Sequence, residues 1–65
     1  MNIKVNGKPE TVSVKNIAAY VQSKGLEPKT LVVEFNGRVI MADQWDVTPL
    51  NEGDQLELLN FVGGG

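Results

Sequence analysis

Gln55-Leu56-Glu57-Leu58-Leu59-Asn60-Phe61-Val62 is the stretch on which the fold turns. It has the period of a β-strand, yet apolar residues fall on both parities: Leu56 and Leu58 share one face of Gln55 to Phe61, and Leu59 and Phe61 the other. A strand with one solvated face alternates cleanly, so this one is expected to lie centrally in a sheet or to meet a partner on its second face. Upstream, Glu52-Gly53-Asp54 and Thr48-Pro49 read as turn signals. Met41 to Val47 loses the alternation and suits an irregular or single-turn connection anchored by Trp45. Before it, the β-branched and aromatic run Thr30 to Phe35, the pair Asn36-Gly37 and then Arg38-Val39-Ile40 read as a hairpin.

The amino-terminal quarter repeats this grammar. Met1, Ile3 and Val5 alternate with polar residues, Asn6-Gly7 suits a two-residue type I′ turn, and Val12 and Val14 resume the alternation. Residues 1 to 14 therefore read as a first hairpin, with Pro9 near a sheet edge. Between the hairpins the period changes. Ile17, Tyr20, Val21 and Lys24 fall at helical spacing, with Asn16 or Ser13 as N-cap. Gly25 stands where a left-handed C′ residue belongs, Leu26 can fold back on Val21 as in a Schellman motif, and Pro28 prevents continuation. So short a helix has little stability alone, and its apolar stripe must cover a sheet.

Composition narrows the chemistry. The 65 residues contain neither cysteine nor histidine, which removes disulfides, ordinary zinc and haem sites, and histidine-dependent catalytic triads. A net charge of −2 with scattered lysines and arginines gives no electrostatic footprint for nucleic acid. The apolar runs are too short to span a bilayer and the start has no secretory pattern, so a cytoplasmic location is expected. Asp43, Asp46, Glu52 and Asp54 miss the spacing of a calcium loop and read as solvated loop carboxylates. Trp45 reads as a core or loop anchor.

The order strand, strand, helix, strand, strand, irregular turn, strand predicts an α+β fold: a mixed sheet of about five strands wrapped on one helix. That is a β-grasp. Ile3, Val5, Val12, Val14, Ile17, Val21, Leu31, Val33, Leu56 and Leu58 are expected to form its core. The chain resembles the ubiquitin-like β-grasp proteins, and among them the ThiS family of sulfur carriers in thiamin biosynthesis. The resemblance covers the whole chain. It is carried by Val5-Asn6-Gly7-Lys8, by Asn36-Gly37 followed by Val39-Ile40 and then Trp45, by Gly53-Asp54 before the last strand, and by the terminal Phe61-Val62-Gly63-Gly64-Gly65. One departure is visible: Met41-Ala42 occupies the place where the family commonly has a Pro-Arg pair.

The resemblance implies a carrier rather than an enzyme, with a β-grasp domain over 1–62 and a glycine tail over 63–65. Glycine-rich ends are usually frayed, but here no spacer separates the glycines from the apolar strand. A tail without side chains can thread a narrow channel. Its carboxylate, with a pKa of roughly 3.5, is ionised at neutral pH and must be activated before it can react. The family pattern assigns that role to Gly65, which an adenylating enzyme would convert with ATP and Mg²⁺ to an acyl-adenylate. A persulfide-derived sulfur, supplied by a donor such as a cysteine desulfurase, would then displace AMP to leave a thiocarboxylate for thiazole synthase. No cofactor is expected on the chain itself. Gly63 and Gly64 would present the terminus, while Leu59, Phe61 and Val62 would bind partners. Three other readings stand beside it: the small subunit of molybdopterin synthase, whose Pro-Pro-Val-Ser-Gly-Gly type of ending differs from Phe61-Val62-Gly63; a ubiquitin-like modifier; and a β-grasp binding module with incidental glycines.

Overall fold

The structure, a computed structural model, describes residues 1–61. Its order is β1 (Asn2–Val5), β2 (Lys8–Thr11), α1 (Ile17–Ser23), a 3₁₀ turn (Pro28–Thr30), β3 (Leu31–Phe35), β4 (Arg38–Ile40), a 3₁₀ helix (Ala42–Val47) and β5 (Gln55–Asn60). The strands form one five-stranded sheet in the order β2-β1-β5-β3-β4. β5 is central, parallel to β1 and antiparallel to β3, as its apolar residues on both faces predict. The sheet is mixed and carries a single α-helix, the expected β-grasp.

Both hairpins turn through their Asn-Gly pairs. Asn6 and Gly7 have φ of 52° and 80°, and Asn36 and Gly37 of 50° and 88°, the positive angles that a type I′ turn requires at both central positions. The asparagines also satisfy the central strand. Asn6 Oδ1 accepts the Leu58 N–H at 2.8 Å, just past the point where the β1–β5 pairing ends at Val5 and Leu56. Asn36 Oδ1 accepts the Gln55 N–H at 2.9 Å. Each removes a backbone donor that would otherwise lack a partner in the ladder.

β2 stops at Thr11 rather than running on to Val14. The β1–β2 ladder ends at the bond from Val12 N–H to Met1 O (2.8 Å). Val12 and Val14 pack against the core from the connection instead. Pro9 lies on this edge strand opposite Lys4, where its missing N–H costs no ladder bond on the free side.

Asn16 is the N-cap of α1. Its Oδ1 accepts the Ala19 N–H at 2.7 Å, and its Nδ2 donates to Asp46 O at 3.3 Å, tying the helix start to the Ala42–Val47 helix. At the other end Leu26 N–H donates to Val21 O (3.2 Å) and Gly25 N–H to Gln22 O (3.0 Å), the paired bonds of a Schellman motif. Gly25 holds φ +68°, and a Cβ there would meet nothing within 4 Å. Only the backbone angle resists substitution. Gly25→Ala should therefore cost about 1–2 kcal/mol in urea unfolding, and a variant as stable as the parent would remove this motif from the account of stability.

The core beneath α1 comprises Ile3, Ile17, Tyr20, Val21, Leu31, Val33, Trp45, Leu50 and Leu56. Val5, Val12, Val14 and Leu58 are half-buried against it rather than central. Tyr20, Trp45 and Leu50 join from outside the strand pattern. Trp45 caps one end with its Nε1–H donating to Ile40 O at 2.9 Å, and Leu50 is held by its N–H to Lys15 O at 2.9 Å. Tyr20 spans from α1 to the edge strand: its hydroxyl donates to Glu10 Oε1 at 2.7 Å, and Lys24 forms an ion pair with the same carboxylate. Lys24, then Tyr20, hold the Glu10 carboxyl below its ordinary pKa, while burial pushes the Tyr20 phenol up.

Candidate functional site

The candidate site is the open face of the sheet where β5 ends. Antiparallel partners share a face, so the pairs Val32–Leu59 and Glu34–Glu57, with Val39 opposite Glu34, place these side chains on the side away from α1. Leu59 is 51% exposed and Phe61 61%, although both are large and apolar. Phe61 lies one residue beyond β5 and still keeps register, its N–H donating to Thr30 O at 2.7 Å. Thr30 Oγ1 adds a bond to Asn60 Oδ1 at 2.9 Å. The chain is thus held as far as Phe61 to Thr30, the residue just before β3.

Val62, Gly63, Gly64 and Gly65 lie outside the described residues, so the roles expected of them have no geometry here. Leu59 and Phe61 come together at the exit point. Val32, Val39 and Met41 extend the apolar surface and were not named as site residues from the sequence; Val39 and Met41 are 57% and 67% exposed. Their signal was present in the parity of the second hairpin. Once Leu31 and Val33 face the core, Val32 must face outward, and the type I′ turn then fixes Val39 on the same side.

The acidic residues of the loops have structural work. Asp54 accepts Asn51 N–H with Oδ2 at 2.7 Å and Asn36 Nδ2 with Oδ1 at 3.1 Å, and Glu52 accepts Asn2 N–H at 2.8 Å. These contacts close the turn that delivers the chain into β5. Among the described residues no three acidic side chains gather as metal ligands. What the arrangement offers is an exposed apolar platform at the end of β5.

Comparison with known proteins bears on what such a platform serves. Residues 3–65 match the model of the ThiS family. A thiazole synthase of Magnetococcus marinus is 30% identical over 66 residues, and one of Paramagnetospirillum magneticum 27%. The chain spans about a fifth of the length of these two relatives, 20% of each. The sulfur carrier protein ThiS of Bacillus subtilis is 33% identical over 61 residues, covering 94% of this chain and 88% of that one. The crystal structure of a thiamine biosynthesis protein (ThiS) from Geobacter metallireducens superposes with a TM-score of 0.85 at 36% identity, over all of both chains. The solution structure of a thiamine biosynthesis protein from the same organism gives 0.83, covering 88% of that chain.

Proposed function

The chain belongs to the ThiS family, and from that premise we propose that it is a sulfur carrier for thiamin biosynthesis, acting as a co-substrate of partner enzymes rather than as an enzyme itself. The observation that carries this reading is the likeness over the full chain to a solved ThiS protein, joined to an exposed apolar platform at the end of β5. The reacting group is the Gly65 carboxylate. An adenylating enzyme joins it to the α-phosphate of ATP with loss of pyrophosphate; the outer sulfur of a partner's persulfide displaces AMP to form an acyl disulfide, and a second partner thiol cleaves the S–S bond, leaving the thiocarboxylate and a protein disulfide. ATP and Mg²⁺ belong to that enzyme.

The domain's contribution is physical. A free carboxylate is a poor electrophile, and docking a rigid platform lets binding energy far from the reacting atom hold the carbonyl in place. Gly64 and Gly65 leave no side chain beside it. Thiazole synthase is the sulfur acceptor we favour, because two thiazole synthases contain a segment similar to this whole chain. No helix among the described residues is long and apolar enough to cross a membrane, in keeping with work beside such enzymes in the cytoplasm.

Mass spectrometry of the protein isolated from its own cells tests the reading. A single oxygen-to-sulfur exchange at Gly65 supports the carrier; a glycine-linked conjugate with another protein would instead make it a modifier. Phe61→Asp should weaken binding of the adenylating enzyme by about tenfold or more while leaving the fold intact, since Phe61 is exposed and outside the core. Unchanged affinity in calorimetry would remove Phe61 from the docking surface.

A further inference from the structure

Two stretches of the chain share one local chemistry. Asn6-Gly7-Lys8 and Asn36-Gly37-Arg38 each place asparagine before glycine and a basic residue, in a type I′ turn whose asparagine and glycine are exposed. With no side chain on the glycine, its backbone nitrogen can approach the asparagine amide carbon unhindered and close a succinimide ring. A Cβ at Gly7 or Gly37 would meet nothing within 4 Å, so neither turn is covered by another part of the described chain. Their tertiary contacts differ. Asn36 is held at both ends of its amide: Oδ1 accepts the Gln55 N–H at 2.9 Å and Nδ2 donates to Asp54 Oδ1 at 3.1 Å. Asp54 is itself fixed, its Oδ2 accepting the Asn51 N–H at 2.7 Å. Asn6 is held only through Oδ1, which accepts the Leu58 N–H at 2.8 Å, and among the described residues its Nδ2 meets no acceptor.

We propose that Asn6-Gly7 is a site of spontaneous modification in the folded protein, and that the contacts of Asn36 protect Asn36-Gly37 from the same reaction. The Gly7 nitrogen bonds to Asn6 Cγ and loses its proton, while Nδ2 gains a proton and leaves as ammonia. Water then opens the succinimide. Addition at Cγ gives aspartate, which keeps an acceptor for the Leu58 N–H; addition at the backbone carbonyl gives isoaspartate, which inserts a methylene into the main chain at the turn. For the ring to close, the asparagine side chain must swing out of its hydrogen bonds, one at Asn6 and two at Asn36. The second bond of Asn36 runs to a carboxylate, and a bond of that kind holds back the open form by about tenfold. Asn6 anchors β5 through Leu58, so the isoaspartyl form loosens the strand that leads to the glycine terminus. This inference is independent of the carrier reading.

Peptide mapping by mass spectrometry of the purified chain, held folded at mildly alkaline pH, reads both sites at once. Asn6 should convert to its aspartyl and isoaspartyl forms about tenfold faster than Asn36. In denaturing urea the tertiary contacts are gone and the local sequences match, so the two sites should convert at similar rates. The proposal is overturned if Asn36 converts as fast as Asn6 in the folded chain, or if Asn6 stays intact there. It is overturned equally if the preference for Asn6 persists in urea, which would place the cause in the neighbouring residues rather than in the fold. In the isoaspartyl fraction the Leu58 amide should exchange with solvent faster than in the parent, and an unchanged rate would overturn the loosening of β5.

Discussion

Deleting Gly65, or adding one residue after it, should abolish partner-dependent pyrophosphate exchange without changing the unfolding temperature. Activation needs a free carboxylate at a set distance from the docked platform. The chain is fastened to Thr30, just before β3, through Phe61 N–H, so losing or gaining a residue displaces the reacting carbonyl by about 3.5 Å. A displacement of even 1 Å from a near-attack geometry costs on the order of a hundredfold in rate. Gly64→Ala should be nearly as damaging, because a Cβ would stand beside the reacting carbonyl in a channel shaped for bare backbone. Gly63→Ala should be tolerated better, being nearer the sheet. Stability should not respond to any of these changes, since the core is assembled from Ile3 to Leu56 and none of its members lies in the tail. A chain lacking Gly65 that is adenylated as well as the parent would defeat the carrier reading outright.

Trp45→Ala should remove most of the stability of the domain. A chain of this size draws only about 3–5 kcal/mol from a single core, and truncating a buried tryptophan costs about 3–5 kcal/mol. Trp45 is 4% exposed and shares the lining of a surface cavity with Ala18 and Val21 of α1 and with Leu26 just beyond it. Far-ultraviolet circular dichroism should show a largely unfolded variant at 25 °C. Trp45→Phe separates volume from hydrogen bonding: it keeps most of the ring, forfeits the bond to Ile40 O, and should cost about 1–2 kcal/mol. A Trp45→Ala urea midpoint equal to the parent's would show that the 3₁₀ helix is an ornament on a core complete without it.

The strands, the helix and both turns were legible because their signals are local. Alternation at Met1 to Val5, the Asn-Gly pairs, the Asn16 cap and the Gly25-Leu26 stop each express the conformational preferences of a few adjacent residues, and tertiary packing agrees with all of them. β5 was legible for a related reason. Apolar residues on both parities set it apart from an edge strand, and it does lie centrally, while Leu59 and Phe61 on its second face stay exposed. The exposure of Leu59 and Phe61 follows from the same parity once Leu56 faces the core.

Other features depended on the assembled chain. Leu50 lies among turn signals with no period to mark it, and it is buried only because the loop before β5 folds back on Lys15 and pairs Pro49 with Asn16. Tyr20 is a core residue because an edge-strand carboxylate, Glu10, meets its hydroxyl ten residues away in sequence. By itself the sequence determined the period of each element, the turns between them and the chemistry available at the last glycine, since these follow from residue type and spacing. Tertiary structure alone decided which apolar side chains were buried and which formed a platform at the exit of the tail, because burial is settled between elements distant in sequence.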